Sequence, residues 1–323
     1  MTAAPDTSVS SDAPTPPAPK RRRGLGIWFK IGFLVVAAAA GVWYVVANWD
    51  ETGPALRQIG WGATLASVPP VIGAGIAGML AWRRLLADLG HPLPVIPAGR
   101  VFYTSQLGKY LPGSVWTFLA QVELAKQLKV PRAVSFAVSV LALVLSLAVG
   151  LSMAALLLPF GAGDALRKFW WLWLILPVLA AAIHPAVTTW GINLLFRVLR
   201  RPPLTARPTG RGMLAATGWQ VLSWCLMGLH CFILVRAAGA EGWSVLPLAV
   251  GGFTLAYCAG VLFVPAPAGV GVRELALGAA LATAISPQAA AAVVLVSRLA
   301  LAVVDMGMAA LSIHRTRRPE ERT

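Results

Sequence analysis

Seven apolar runs, each long enough to cross a lipid bilayer, constrain the fold of this chain more than any other feature. A membrane-spanning helix needs roughly 20 predominantly apolar residues. Of the 323 residues, 58% are hydrophobic and only 12% are charged, whereas a soluble domain carries about 25% charged residues. The sequence therefore predicts an all-α polytopic membrane protein. The apolar runs lie at about 27–48, 61–86, 132–158, 169–196, 211–237, 244–264 and 287–313.

Basic residues indicate how the chain is oriented, because cytoplasmic loops of membrane proteins carry an excess of Lys and Arg. A net charge of +15 would favour nucleic-acid binding in a soluble chain. Here the bases cluster beside apolar runs, so we expect no nucleic-acid partner. The bases at residues 20–23 and near the C-terminus place both termini in the cytoplasm. The Ala-, Gly- and Arg-rich composition is typical of a GC-rich bacterium, so the expected location is the bacterial plasma membrane.

The same pattern divides the chain into a leader, one membrane domain and a tail. Residues 1–24 combine a low-complexity stretch with Lys20–Arg23, which predicts a disordered basic cytoplasmic leader. Residues 25–314 form the predicted helical transmembrane domain. Residues 315–323 form a predicted basic cytoplasmic tail.

Two segments, residues 97–128 and 265–284, are too amphipathic or too interrupted to be ordinary spans. Bases at Lys126–Arg132 are expected on the cytoplasmic side, so the first segment enters and leaves there. The basic loop Arg197–Arg211 is also cytoplasmic, which requires residues 244–284 to enter and leave on the outer side. The sequence therefore predicts about six full spans plus two re-entrant helix pairs of opposite sense.

Re-entrant pairs of opposite sense predict an inverted repeat, with halves at about 61–158 and 211–313. Each half has a span, a broken re-entrant segment and a second span that opens with a proline. Chance pairing is the alternative, since the chain has 24 prolines. In such folds the half-helix N-termini point toward the membrane midplane, where free N–H groups and the helix dipole favour an anion such as phosphate. The expected breaks are at Pro112, Gly113, Pro267 and Gly269.

The segment Phe263–Leu277 places two prolines, two glycines and the charged pair Arg273–Glu274 inside apolar sequence. Ionisable residues near the bilayer centre cost about 2.5–3.5 kcal/mol each, and lipid offers a broken backbone no hydrogen bonds. A break and two charges together indicate a binding site or a pathway. The alternative is a membrane helix that starts late, at Gly271, with both charges at the level of the lipid headgroups.

This segment resembles a known family, the lysylphosphatidylglycerol synthase transmembrane region. That region is the flippase half of the multiple peptide resistance factor and also occurs as a stand-alone membrane protein. Its later motif runs roughly Pro-x-Pro-x-Gly-x-Gly-x-Arg-Glu, which stands here at Pro265–Glu274. The resemblance implies a helical membrane fold that moves a phospholipid or polyprenyl-phosphate lipid between leaflets. We see no aminoacyl-transfer motif and expect no enzymatic activity.

The earlier motif of that family, roughly Leu-Pro-Gly-x-x-Gly-Glu-x-x-Arg, is matched only at Leu111–Gly113. Trp116, Thr117 and Ala120 occupy its Gly, Glu and Arg positions. Candidate substitutes for the missing polar groups are Lys109, Gln121 and Glu123.

The basic residues near the two breaks are the strongest candidates for contact with a phosphate. Arg273 is suited to bidentate phosphate contact, with Glu274 holding it in place or exchanging protons; a structural ion pair is the alternative. Lys109 either contacts the phosphate or extends to the interface, and Tyr110 either binds a headgroup or is an interfacial aromatic. The full set of predicted substrate-binding residues is Lys109, Tyr110, Pro112, Gly113, Pro267, Gly269, Gly271, Arg273, Glu274 and Arg298.

Two acidic residues are candidates for coupling or pairing. Glu123 either faces a cavity or pairs with Lys126 on the same helix face. Asp305 lies two helical turns after Arg298 and shares its face, but the two are too far apart to pair directly. Each therefore needs another partner or water.

Several other functions stay open at this point. A small-anion or proton-coupled transporter would fit the same architecture, and a membrane-embedded lipid-modifying enzyme, or a scaffold for one, is a further alternative. His184 and His230 lack a second ligand at metal-binding spacing, so we expect no metal and no cofactor. The expected partners are membrane lipids with an anionic phosphate headgroup, with a second copy of the chain or a lipid-pathway enzyme as further candidates.

Overall fold

A computed structural model of the chain describes residues 49–110, 115–161, 173–198, 200, 203, 207–263 and 269–317. Within these residues the chain forms α-helices and short 3₁₀ turns and no β-strand, which confirms the all-α prediction. The predicted span at 27–48 and the predicted leader lie outside the described residues. The helices are α1 (Trp49–Ala66), α2 (Val68–Asp88), α3 (Val95–Gln106), α4 (Trp116–Gln127), α5 (Arg132–Leu157), α6 (Leu176–Ile183), α7 (Pro185–Val198), α8 (Gly210–Ala237), α9 (Val245–Leu262), α10 (Val272–Leu281) and α11 (Pro287–Arg317).

The lengths of these helices fit a polytopic membrane protein. Among the described residues, α5, α8, α9 and α11 are each long and apolar enough to cross a membrane. Two bent pairs, α1 with α2 and α6 with α7, bring the number of candidate spans to six. Helix α11 continues to Arg317, into the segment that the sequence assigns to the tail.

Two of the predicted spans are bent. The run at 61–86 divides between α1 and α2, which meet at Ser67 with a bend of 49°. The run at 169–196 divides between α6 and α7, which are bent by 72° at His184. Pro185 disfavours helical geometry in the residue before it, and His184 is accordingly extended, with φ −64° and ψ 133°.

The predicted re-entrant segments form two helical hairpins. In the first, α3 and the 3₁₀ turn Leu107–Tyr110 pack against α4. In the second, α9 packs against α10. A ten-residue helix such as α10 is about 15 Å long, which is half of the roughly 30 Å hydrocarbon core. Residues 111–114 and 264–268, which contain the predicted breaks Pro112, Gly113 and Pro267, lie outside the described residues.

Glycines let the two arms of each hairpin meet closely. A Cβ on Gly108 would lie 2.6 Å from the backbone nitrogen of Thr117, at the start of α4. A Cβ on Gly269 would lie 2.6 Å from the Cα of Gly260 in α9, and Gly269 has a φ of +68° that favours glycine. Both hairpins are therefore tightest beside their tips.

Contacts between helices repeat in the two halves. The first helices of the halves, α2 and α8, make the most extensive contact in the molecule. The first hairpin arm, α3, packs against α11, and the corresponding arm of the other half, α9, packs against α5. Each hairpin thus rests on the last helix of the opposite half. This pairing is the one expected of a two-fold repeat, whereas the opposite senses of the hairpins in a membrane stay a prediction.

Candidate functional site

Charged side chains from both halves meet beside α11, which contacts α3 of the first hairpin and α10 of the second. Lys109 comes from the 3₁₀ turn of the first hairpin, and Arg273 and Glu274 come from the first turn of α10. Arg298 and Asp305 come from α11. Ion pairs join Glu274 to Arg298 and Lys109 to Asp305, and Arg298 and Asp305 lie two turns apart on α11, so the groups form one cluster. We call these five residues the central site.

Glu274 fixes the start of α10 and ties it to α11. Its Oε2 accepts a hydrogen bond of 2.6 Å from the backbone N–H of Gly271, which has a φ of +86°. Its Oε1 accepts from the guanidinium of Arg298. The prediction that Glu274 holds Arg273 is wrong in this geometry, because the helix turn directs the carboxylate to Arg298, 24 residues away.

Arg273 lies against aromatic rings. Its guanidinium carbon is 5.0 Å from the ring centroid of Phe253 and 5.4 Å from that of Tyr257. These residues are four apart in α9 and therefore share a helix face. Among the described residues Arg273 makes no ion pair with a carboxylate. The faces of the two rings thus stabilise the positive charge of Arg273. These contacts are not conventional hydrogen bonds, so they use none of its N–H donors.

Asp305 joins the tip of the first hairpin to α11. Its Oδ2 lies 2.6 Å from the Nζ of Lys109 and accepts a 2.6 Å hydrogen bond from the hydroxyl of Tyr110. The side chains of Lys109 and Asp305 are 38% and 21% exposed, so the pair is only partly shielded from its surroundings. As the sequence spacing predicts, Asp305 and Arg298 have different partners.

A narrow cavity opens beside these charges. Its walls include Arg273, Glu274, Arg298, Phe253 and Ser297, and it has room for about one water molecule. Ser297 precedes Arg298 in α11 and is 1% exposed. The hydroxyl of Ser297 lies 2.9 Å from Nε2 of the buried His230 of α8. The cavity therefore has a charged side and a neutral polar side.

The bases of the central site outnumber its acids. Three basic residues, Lys109, Arg273 and Arg298, face the two carboxylates of Glu274 and Asp305. With each carboxylate bound to one base, the guanidinium of Arg273 is left over. The site can therefore accept one negative charge. Among the described residues, no group of three or more His, Cys, Asp or Glu side chains could hold a metal ion.

Glu123 does not belong to this site. Its carboxylate pairs with Arg132 at 2.7 Å across the turn between α4 and α5, and both side chains are 57% exposed. The predicted pairing with Lys126 and the predicted position at a cavity are both wrong. The turn folds α5 back beside α4, which brings Arg132 closer to the carboxylate than sequence spacing suggests.

The sequence reasoning missed four residues that surround the central site. Phe253 and Tyr257 form the surface beneath Arg273, and Ser297 forms the polar side of the cavity, with His230 hydrogen-bonded behind it. Two aromatic residues four apart in an otherwise apolar helix were a usable signal for the first pair. His230 has no local signal for its role, because its hydrogen-bond partner Ser297 lies 67 residues away in the sequence.

Comparison with protein-family models agrees with this architecture. The model of the lysylphosphatidylglycerol synthase TM region matches residues 29–307. The chain belongs to this family. The matched range contains both hairpins and every residue of the central site, and it confirms the resemblance seen at Pro265–Glu274. Membership places the chain among membrane proteins of lipid metabolism or transport. No curated protein matches the chain.

Proposed function

We propose that this protein is a flippase that moves a lipid with an anionic phosphate headgroup between the leaflets of the bacterial plasma membrane. The observation that carries the proposal is the guanidinium of Arg273, which lacks a carboxylate partner among the described residues and lines a cavity between the second hairpin and α11. In this proposal the protein catalyses no covalent reaction, and both termini lie in the cytoplasm.

The charge balance of the central site favours a phosphate. An unpaired charge within a membrane is costly, and the free energy falls when an anion supplies the missing partner. Arg presents its N–H groups in a planar fork that matches two phosphate oxygens. Because Arg273 already rests on Phe253 and Tyr257, little side-chain entropy is lost when it binds.

The surroundings of the hairpins favour a lipid over a small soluble anion. Leu119 of the first hairpin is 52% exposed and Leu275 of the second is 75% exposed. Such apolar surface beside a charged site suits a substrate whose headgroup enters the site while its acyl chains stay in the bilayer. The cavity holds about one water molecule, so the second hairpin and α11 must separate for a whole headgroup to pass.

Reconstitution tests the proposal directly. We would place the purified protein in vesicles that carry a fluorescent phosphatidylglycerol, and then bleach the outer leaflet with a membrane-impermeant reductant. We expect the wild type to accelerate loss of the protected inner-leaflet signal. Arg273→Ala should slow this loss about tenfold or more, since a lost charge-assisted hydrogen bond is worth about 1.5–3 kcal/mol. Arg273→Lys, which keeps the charge without the fork, should fall in between.

The matched control is Arg57→Ala. Arg57 is an exposed arginine of α1 that is not part of the central site, so its removal should leave the rate unchanged. If folded Arg273→Ala moves lipid as fast as the wild type, the central site is not the route. If the wild type accelerates no phosphate-bearing lipid, the flippase proposal fails, and uptake of labelled inorganic phosphate into the same vesicles would test the small-anion alternative.

A further inference from the structure

His230 is buried in the middle of the bundle and contacts two parts of the chain. It is 0% exposed. Its Nδ1 lies 3.0 Å from the backbone carbonyl oxygen of Ser67, at the bend between α1 and α2. Its Nε2 lies 2.9 Å from Oγ of Ser297 on the cavity wall. The histidine ring also packs edge-on against Phe253, the residue beneath Arg273.

The chemistry of these two contacts fixes the tautomer of the neutral ring. A carbonyl oxygen can only accept, so Nδ1 carries a hydrogen and donates it to Ser67. Nε2 of the neutral ring then has a lone pair and accepts the hydroxyl hydrogen of Ser297. In this state Ser297 turns its oxygen lone pairs, and not its hydrogen, toward the cavity.

Protonation of the ring reverses the polarity of Ser297. With a hydrogen on both nitrogens, Nε2 donates to the oxygen of Ser297, and the serine hydrogen is released from the histidine. That hydrogen can then point into the cavity, beside the guanidiniums of Arg273 and Arg298. A phosphate oxygen in the cavity would gain one more donor, and its negative charge would favour the proton on His230.

We propose that occupancy of the central site by a phosphate anion is coupled, through the hydroxyl of Ser297, to uptake of one proton by His230. This inference rests on the proposed flippase function. The proton comes from water on the side where the anion enters, binds the lone pair of Nε2, and leaves when the anion departs. No covalent bond to the substrate forms, and one anion moves with one proton.

The charges around His230 set the order of these events. Arg273 of α10 lies against Phe253, whose ring contacts His230, and Arg298 of α11 lies next to Ser297. The carboxylate of Glu274 is already bound to Arg298. Ser67 and Phe253, which face the ring from the α1–α2 bend and from α9, carry no charge. An anion bound beside Arg273 and Arg298 cancels the excess positive charge of the site, which lowers the electrostatic cost of a further positive charge on His230. By linkage the proton strengthens anion binding by the same factor.

An imposed pH gradient tests this coupling. In vesicles that carry fluorescent phosphatidylglycerol in both leaflets, an acidic exterior should drive the wild type to accumulate the lipid in the inner leaflet. His230→Gln can donate to Ser67 and accept from Ser297 but cannot take up a proton at neutral pH. It should move lipid toward equal distribution only. Ser297→Ala should lose accumulation, and Ser297→Thr, which keeps the hydroxyl, should retain it.

The outcomes separate the coupling from the flippase proposal. If the wild type moves lipid but never accumulates it under a pH gradient, the coupling is overturned while the flippase proposal stands. Accumulation by folded His230→Gln, or by folded Ser297→Ala, would also overturn it. If the wild type moves no lipid at all, the flippase proposal itself fails. Should His230→Gln not fold, the comparison of Ser297→Ala with Ser297→Thr decides the question.

Discussion

At the scale of single residues, Asp305 shows how one carboxylate joins distant parts of the chain. Its Oδ2 accepts from both Lys109 and Tyr110, about 195 residues earlier in the sequence. The contact bridges the first half to the last helix of the second half. Because the pair is partly shielded, we expect it to contribute to stability as well as to the charge of the central site.

A double-mutant cycle on Lys109 and Asp305 measures that contribution. Removing one partner leaves the other charge poorly solvated, so Lys109→Met and Asp305→Asn should each destabilise the protein. The double variant should lose less free energy of unfolding than the sum of the losses in the two single variants, with a coupling of about 1–2 kcal/mol. The measurement is the free energy of unfolding by SDS in mixed micelles.

The exposed pair of Glu123 and Arg132 serves as the control cycle. Both of its side chains are 57% exposed, and exposed ion pairs contribute about 0–1 kcal/mol. If the two cycles give the same coupling, shielding at Lys109 and Asp305 is not what strengthens that pair.

Sequence spacing predicted part of this site and failed where the partner of a side chain comes from a distant part of the chain. The seven-residue separation of Arg298 and Asp305 correctly placed them on one face and excluded a direct pair. It could not name their partners, because Glu274 and Lys109 are brought there by hairpins that pack on α11. For Glu123 the spacing of three residues along one helix favoured Lys126 as the partner. The turn between α4 and α5 instead places Arg132 beside its carboxylate.

At the scale of helices, close contacts through glycine decide how the bundle packs. Gly228 of α8 faces the backbone of α9, where a Cβ on Gly228 would lie 2.7 Å from the Cα of Val250. A backbone atom cannot move aside as a flexible side chain can. The helices must therefore separate if any larger residue occupies this position.

We expect Gly228→Ala to destabilise the protein by about 1–3 kcal/mol, the usual cost of overpacking a well-packed core. Gly218→Ala is the matched control in the same helix, because a Cβ there meets no atom within 4 Å. Thermal unfolding in detergent, followed by helical circular dichroism, compares the two. Equal melting temperatures would show that α8 and α9 can adjust their separation without cost.

Helix boundaries followed proline signals more closely than hydropathy. Pro131 and Pro287 correctly marked the starts of α5 and α11. The bend at His184 also precedes a proline, but the continuous apolar run at 169–196 favoured a single span. Hydropathy measures compatibility with lipid and carries no information on direction, so a bent pair and a straight helix look alike.

At the scale of the whole molecule, each hairpin packs against the last helix of the other half. Helix α3 packs on α11 and α9 packs on α5, so neither half can form its contacts alone. The family match over residues 29–307 includes this entire arrangement. An inverted repeat built this way would bring one hairpin into the membrane from each side, with both tips near the midplane, an arrangement that suits alternating access.

The opposite senses of the hairpins can be tested with single cysteines. Cys225 is exposed, whereas Cys231 and Cys258 are buried. Cys225→Ala therefore removes the exposed native thiol and lowers background labelling. We expect a membrane-impermeant maleimide to label Glu241→Cys and Thr283→Cys, which flank the second hairpin, in intact cells. His91→Cys and Gln127→Cys, which flank the first hairpin, should react only after the membrane is permeabilised.

The decisive pair is Glu241→Cys and Thr283→Cys. Helix α9 has 18 residues and is long enough to cross a membrane alone. If it did cross, these two cysteines would react on opposite sides, and the second hairpin would be a span followed by a short helix. Labelling of both from outside would instead mean that α9 and α10 enter and leave together. Arg273 and Glu274, in the first turn of α10, would then lie within the membrane, where the proposed site requires them.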